Sequence, residues 1–292
     1  MTTAILLHHF SGRHLQLYAA AFQKVSVLHL TSRSPQNLHG AFTVAGRGSG
    51  MFTQSLPPCG FSIVVKFHGS LMHDLSVFRT AVAELERLVE RGHRILVVPG
   101  GDLNDKAIER VEDLYPPPSV MTHHACALVQ DETGYLLANR AFSSKLVPSA
   151  TLSECRSLAK VGKIPVLLAS RMLFTTDSVE WSLDITSNAV AAWIAWVTNA
   201  PLLAILTDVD GVYRNAATHD PGALIEEIDA HDLAELGHAS VDACAAHFMS
   251  LRGAAGVVIN GTHPNRLRDW TEGKHVRATY ITTNERVPSC SA

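Results

Sequence analysis

Five segments of this chain hold short runs apolar at nearly every position: IVVKF in SIVVKF (62–67), ILVVP in RILVVPGG (94–101), IPVLLA in KIPVLLAS (163–170), LLAIL at the start of LLAILTDVDGVY (202–213) and AGVVI at the start of AGVVINGTHPNRLRDW (255–270). A strand with one wet face alternates apolar and polar residues, so continuous runs imply strands covered on both faces, as in parallel sheets crossed by helices. Helix-like stretches stand between them. Leu75, Phe78, Val82, Leu85 and Val89 recur at helical steps before Gly92. LNDKAIERVEDLY ends at PPP, and DITSNAVAAWIAWVTN opens with Asp and Ser/Thr capping residues. The alternation predicts an α/β fold with a mainly parallel central sheet under helices on both sides. In such sheets ligands collect beyond the carboxyl ends of the strands.

Residues 1–58 are different. SRSPQNLHG, AGRGSG and LPPCG punctuate them without periodicity, which predicts a poorly structured extension, or sequence upstream of a later start at Met51. GRGSG reads as linker because neither strand nor helix flanks it. One domain over 59–292 is expected. The five cysteines are scattered, with no C-x-x-C pair, so neither a disulfide framework nor a zinc site is indicated and a reducing cytoplasm is expected. A formal charge of −3 gives no reason to expect nucleic acid. The N-terminus lacks a basic region, and AVAAWIAWVTNAPLLAIL is broken by Asn199 and Pro201, so neither a secretory signal nor a membrane span is expected.

At the strand ends stand Lys66-Phe67-His68-Gly69-Ser70, Gly100-Gly101-Asp102, the 181–188 segment, Thr207-Asp208-Val209-Asp210-Gly211 and Asn260-Gly261-Thr262. Glycines let backbone N–H groups approach an anion, and an ammonium can neutralise a transferring phosphoryl group. Glycine and aspartate are also ordinary turn residues, but a lysine among apolar neighbours has few structural uses. G-x-x-x-x-G-K-[ST], H-R-D and D-F-G are all absent, which argues against a P-loop NTPase or a protein kinase.

VVKFHGSL, ILVVPGGDLND, DITSNAVAAW and LTDVDGVY occur in the order and spacing of the amino-acid kinase superfamily, and over about residues 60–284 the chain resembles it. EWSLDITSNAVAAW and GVVINGTHPNRL look most similar to the branch that phosphorylates an aminomethyl-furan-methanol monophosphate in methanofuran-type cofactor biosynthesis. The resemblance implies a three-layer α/β/α sandwich, ATP with Mg²⁺, a small-molecule phosphate or carboxylate acceptor, and a homo-oligomer.

By the same resemblance Lys66 is the lysine bridging the β- and γ-phosphates, and Gly69 and Ser70 form the phosphate turn. Thr207, Asp208, Asp210, Gly211 and Tyr213 cup the nucleotide, and Gly100 and Gly101 hold the acceptor phosphate. Three positions depart from the family pattern. His68 replaces a glycine and is either tolerated by the turn or touches substrate. Asp102 replaces a third glycine and either meets a substrate ammonium or makes a turn. Asn188 replaces the organising aspartate, so Asp184 is expected to be the organiser or a metal partner, with a helix cap as its other reading. The family's second phosphate-binding lysine, in a G-G-M-x-x-K segment, is missing; Arg252, Arg266 and Lys274 are the possible substitutes. The pairs His8-His9 and His123-His124 read as polar surface, and Trp181, Trp193 and Trp196 as core or subunit contacts.

Overall fold

The computed structural model describes residues 60–101, 103–114, 120–176, 186–214, 223–236, 241–252 and 255–283. The expectation for residues 1–58 lies outside them, as do Asp102, Trp181, Asp184, His8 and His9.

Eight strands form one sheet: β1 Ile63–Phe67, β2 Ile95–Pro99, β3 Leu146–Ser149, β4 Ile164–Leu167, β5 Leu202–Thr207, β6 Glu227–Asp229, β7 Ala255–Asn260 and β8 Thr279–Thr282, in the order β3-β4-β2-β1-β5-β7-β8-β6. Every pairing is parallel except β7 with β8. The described helices are α1 Leu75–Glu90, α2 Leu103–Leu114, α3 Val120–Leu137, α4 Leu152–Lys160, α5 Ser170–Thr176, α6 Ser187–Thr198, α7 Ala230–Glu235, α8 Ala243–Arg252 and α9 Asn265–Thr271. The α/β architecture is the one expected.

The continuous apolar strands are explained by two cores, one on each face. On β1, Ile63, Val65 and Phe67 pack with Phe78, Val82 and Leu85 of α1 and Leu267 and Trp270 of α9. Val64 faces the other way, into a core with Trp193 and Ile194 of α6 and Ala245 and Ala246 of α8. Side chains alternate along a strand, so Lys66 emerges on the α6/α8 face with Val64. Burying each large apolar side chain here contributes roughly 1.5–3 kcal/mol.

Helix ends follow the sequence signals. Asp74 caps α1 by accepting from the Ser76 and Val77 amides at 2.7 and 3.2 Å. Gly92 then takes a left-handed φ of 93° just past that helix. Glu84 is buried and accepts two bonds from Arg268 at 3.1 and 3.2 Å, tying α1 to α9.

Trp193 and Trp196 are buried, as expected. The surface assignment of His123 is corrected: it is buried within α3, and its neighbour His124 lies against Phe174 with ring centroids 4.3 Å apart. Adjacent residues diverge around a helix, so one of a pair turned inward while the amphipathic signal was too weak to say which. Among the described residues no helix is long and apolar enough to cross a membrane.

Candidate active site at the carboxyl ends of the central strands

The parallel register places four strand ends side by side. Phe67 pairs with Pro99 on β2 and with Leu206 on β5, and Thr207 pairs with Asn260 on β7. The Lys66 turn, Gly100-Gly101, Thr207-Asp208 and Asn260-Gly261 therefore share one rim. Backbone bonds lace it together: Gly100 N–H donates to Phe67 O at 2.8 Å, His68 N–H to Leu206 O at 3.0 Å and Gly261 N–H to Thr207 O at 2.7 Å.

Lys66 is only 2% exposed. Burial pushes its ammonium down to about 8, while Asp242, Asp105 and Asp208 pull it back up. A Cβ on Gly100 would lie 3.0 Å from Lys66 Cε, 3.1 Å from its Nζ and 3.1 Å from Ser187 Oγ, so the glycine opens the space into which the ammonium reaches. A Cβ on Gly101 would fall 1.4 Å from Asp105 Oδ2, which shows that the Asp105 carboxylate is folded over the glycine pair.

The turn after β1 is a 3₁₀ turn over Gly69–Met72, with His68 at its start. His68 Nδ1 accepts from the Ser70 N–H at 3.1 Å and lies 2.8 Å from Ser70 Oγ. The glycine-to-histidine change is therefore accommodated by the ring capping its own turn. In this state one amide expected to cradle phosphate is held by the imidazole, which must keep Nδ1 unprotonated to accept it. Asp208 is affected first by burial, which pushes its carboxyl up; its own amide, His68, Thr207 and Ser70 outweigh this and hold it below the ordinary value. Thr207 Oγ1 donates to Asp208 at 3.2 Å.

The opposite side of the rim is built around Asp210. It accepts from Asn260 Nδ2 at 3.1 Å, from Arg266 at 2.6 Å and from Arg277 Nε at 2.6 Å. Burial pushes its carboxyl up, yet the bonds from Arg277, Arg266 and Asn260 win and bring it down to about 2. Gly211 follows, where a Cβ would sit 2.3 Å from Thr279 Oγ1 and 2.8 Å from the Thr279 backbone nitrogen. Val212 N–H donates to Thr279 Oγ1 at 2.8 Å, and Tyr213 is buried beside Arg277.

Two carboxylates at the site were not foreseen. Asp242 is 6% exposed; it accepts from Thr186 Oγ1 at 2.5 Å and caps α8 through the Ala245 N–H at 2.8 Å. Burial raises its carboxyl, with Lys66 opposing. An Asp just before a helix-patterned ACAAHFMS was a readable cap signal, but nothing in the sequence tied it to Lys66. Asp105 lay hidden inside LNDKAIERVEDLY, where a first-turn acid looks like ordinary helix chemistry. Asn188 begins α6, its N–H bonded to Thr186 Oγ1 at 3.1 Å. Of the substitutes for the second lysine, Arg266 holds Asp210. Lys274 pairs with Asp269 and Glu272 at 2.9 and 2.8 Å on the turn after α9, and so faces away from that role.

The profile of the amino acid kinase family matches residues 62–260. The chain is 27% identical over 224 residues to the [5-(aminomethyl)furan-3-yl]methyl phosphate kinase of Methanocaldococcus jannaschii, covering 77% of this chain and 99% of that one. It is 29% identical over 241 residues to the uridylate kinase of Natronomonas pharaonis, covering 76% and 99%. Uridylate kinase from Archaeoglobus fulgidus superimposes with a TM-score of 0.59 at 20% identity, over 76% of this chain and 100% of that one. Aspartate kinase from Synechocystis does so with 0.56 at 17% identity, over 76% and 40%. With the lysine turn, the glycine pair and the T-D-V-D-G loop meeting at one rim inside the matched span, the chain belongs to the amino acid kinase family.

Proposed function

We propose that this protein is an ATP-dependent kinase whose acceptor is itself a phosphate, [5-(aminomethyl)furan-3-yl]methyl phosphate, converted to its diphosphate. An acceptor phosphate oxygen attacks the γ-phosphorus as the bond to the β,γ-bridging oxygen breaks, and ADP departs with the electron pair. Lys66, Gly69 and Ser70 hold the triphosphate. Gly100 and Gly101 present backbone amides to the acceptor, and Thr207, Asp208, Asp210, Gly211 and Tyr213 cup the nucleotide. His68, Asp102 and Asn188 are assigned to the acceptor side and Asp184 to organising the transfer, as the resemblance implies. The buried ammonium of Lys66 beside the glycine pair carries this reading: a fixed cation where charge migrates during transfer stabilises the transition state more than the ground state.

Mg²⁺ would arrive with ATP and help neutralise the phosphates, its ligands drawn from phosphate oxygens and water rather than a protein cage. The rim fits an ion held this way, since the Asp210 carboxylate is already taken by Arg266, Arg277 and Asn260; the three-donor cluster His231, Asp232 and Glu235, exposed on α7 beside the edge strand β6, is given no part in it. We also place the protein in the cytoplasm as a homo-oligomer. Met121, Leu128 and Tyr135 recur every seventh residue on α3 and stand exposed, an apolar stripe suited to a subunit contact.

The deciding assay incubates the protein with ATP, Mg²⁺ and the furan monophosphate, following the diphosphate by ³¹P NMR, with UMP in parallel. The furan diphosphate is expected. Turnover of UMP alone would select the second reading, a nucleoside monophosphate kinase, which the uridylate kinase relatives favour. ATP binding without turnover of any acceptor would select a catalytically silent nucleotide-binding protein.

A further inference from the structure

On the kinase reading, a site that moves a phosphoryl group needs a carboxylate to keep its lysine charged and aimed, and the resemblance assigns that duty to the position of Asn188. An asparagine there has no charge to give. The Asn188 N–H donates to Thr186 Oγ1 at 3.1 Å, and that hydroxyl donates to Asp242 at 2.5 Å. Ser187, between them, brings its Oγ to the same space above Gly100 that Lys66 Nζ occupies. The negative charge missing from α6 is thus supplied two bonds away by the start of α8.

We propose that Asp242 is a positioning residue of the phosphoryl-transfer site, beside the organiser assigned to Asp184: its carboxylate, brought by the start of α8 to the α6/α8 face of the sheet, keeps Lys66 charged and aimed where Asn188 has no charge to give. Three observations carry this. Lys66 points to this face because it alternates with Val64, whose core includes Ala245 and Ala246 of α8. Asp242 is almost fully buried yet bonded on both sides, to Thr186 and to the Ala245 N–H, so its direction is fixed by two helices. Of the carboxylates acting on Lys66, Asp242 exerts the largest pull, ahead of Asp105 on α2 and Asp208 after β5; His68, the nearest titratable ring on the lysine's own turn, acts on Asp208.

The sign of the effect is determined. Removing the Asp242 charge takes away the strongest influence that raises the Lys66 ammonium, so the lysine should lose its proton at lower pH. The test is a ¹³C NMR titration of protein carrying [ε-¹³C]lysine, with the Lys66 signal assigned by its absence in Lys66→Met. For the unsubstituted protein a midpoint near 8 is expected. Asp242→Asn should lower it by about one unit or more, and Asp242→Glu should restore most of the difference. In ADP-release assays the alkaline limb of kcat/KM should move down in step, with kcat falling about 100-fold in the asparagine variant.

An Asp242→Asn protein that loses activity with its Lys66 midpoint unmoved would overturn the proposal and leave Asp242 only a helix cap. Should that variant not fold, Thr186→Val, which removes the hydroxyl orienting the carboxylate, should shift the midpoint in the same direction; no shift would count equally against it. The titration needs neither nucleotide nor acceptor, so failure of every acceptor would defeat the kinase reading while Asp242 is still judged by Lys66.

Discussion

The two sides of the rim solve opposite electrostatic problems. At the end of β1 a single lysine faces three carboxylates and is almost wholly buried; on the loop after β5 a single carboxylate, Asp210, is gripped by Arg266, Arg277 and Asn260 with 20% of its side chain open to water. Around Lys66 burial dominates and the charge is held under strain. Around Asp210 hydrogen bonds dominate and the charge is made more secure. A group meant to respond to an arriving phosphate should be incompletely satisfied beforehand, whereas a group that shapes a loop should be satisfied completely. On the proposed reading the contrast separates a transfer centre from a scaffold, and it can be broken by substitution on either side.

The largest effect is expected from Lys66→Met, which keeps the volume and removes the charge. We expect kcat/KM to fall about 10³-fold or more, measured by ADP release, with the circular-dichroism spectrum unchanged. Near-normal turnover would remove Lys66 from the transfer step. In the unsubstituted enzyme, activity that needs the ammonium should be full well below pH 8 and fall as pH rises through about 8, where the lysine loses its proton. An ordinary lysine would hold activity to about pH 10. Asp210 should leave no such limb in the neutral range, since its carboxyl is held down to about 2.

Asp210→Ala should act on stability and nucleotide affinity rather than on the chemical step. Its folded-state carboxyl lies below the unfolded value, so its stabilisation is present above about pH 4 and disappears as pH falls toward 2. A shift of this size in a dry interior would be worth about 2 kcal/mol. At a rim partly open to water we expect about 1 kcal/mol at pH 7 by urea unfolding, with the difference between variant and parent closing at acid pH. The KM for ATP should rise several-fold while kcat stays within about threefold. A large loss of kcat would mean that the two sides of the rim are not separable.

Most of the sheet was readable because both-faced burial writes itself as unbroken apolar runs, and β1, β2, β4, β5 and β7 fall inside the segments quoted. The short strands toward the two ends of the sheet were not: LVPS of β3 at one edge, EID of β6 at the other and TYIT of β8 beside it are too brief or too polar to stand out from loop, and β8 and β6 together run antiparallel to the rest. The rim showed the same divide. Lys66, the glycines and the T-D-V-D-G loop lie at strand ends, where local sequence and position coincide. Asp242 and Asp105 reach Lys66 only through helix packing, and Arg266 and Arg277 reach Asp210 from 56 and 67 residues away, which no local pattern encodes.

His68 sits between the two regimes, on the lysine's turn but satisfied like Asp210's partners, and should give the smallest effect. Its ring accepts the Ser70 N–H at 3.1 Å, so the turn is rigid at the expense of one amide that could face phosphate. His68→Gly trades one for the other: the amide is released, and the lost cap costs about 0.5–1 kcal/mol of turn stability. The two nearly cancel, so kcat should stay within about threefold and the KM for ATP within about fivefold. The distinguishing measurement is hydrogen exchange of the Ser70 amide with and without ATP. In the parent the bond to Nδ1 should slow exchange before the nucleotide arrives; in the glycine variant the amide should exchange freely until ATP binds. Equal protection in both free proteins would show that the imidazole does not hold the amide and that the turn answers to Lys66 alone.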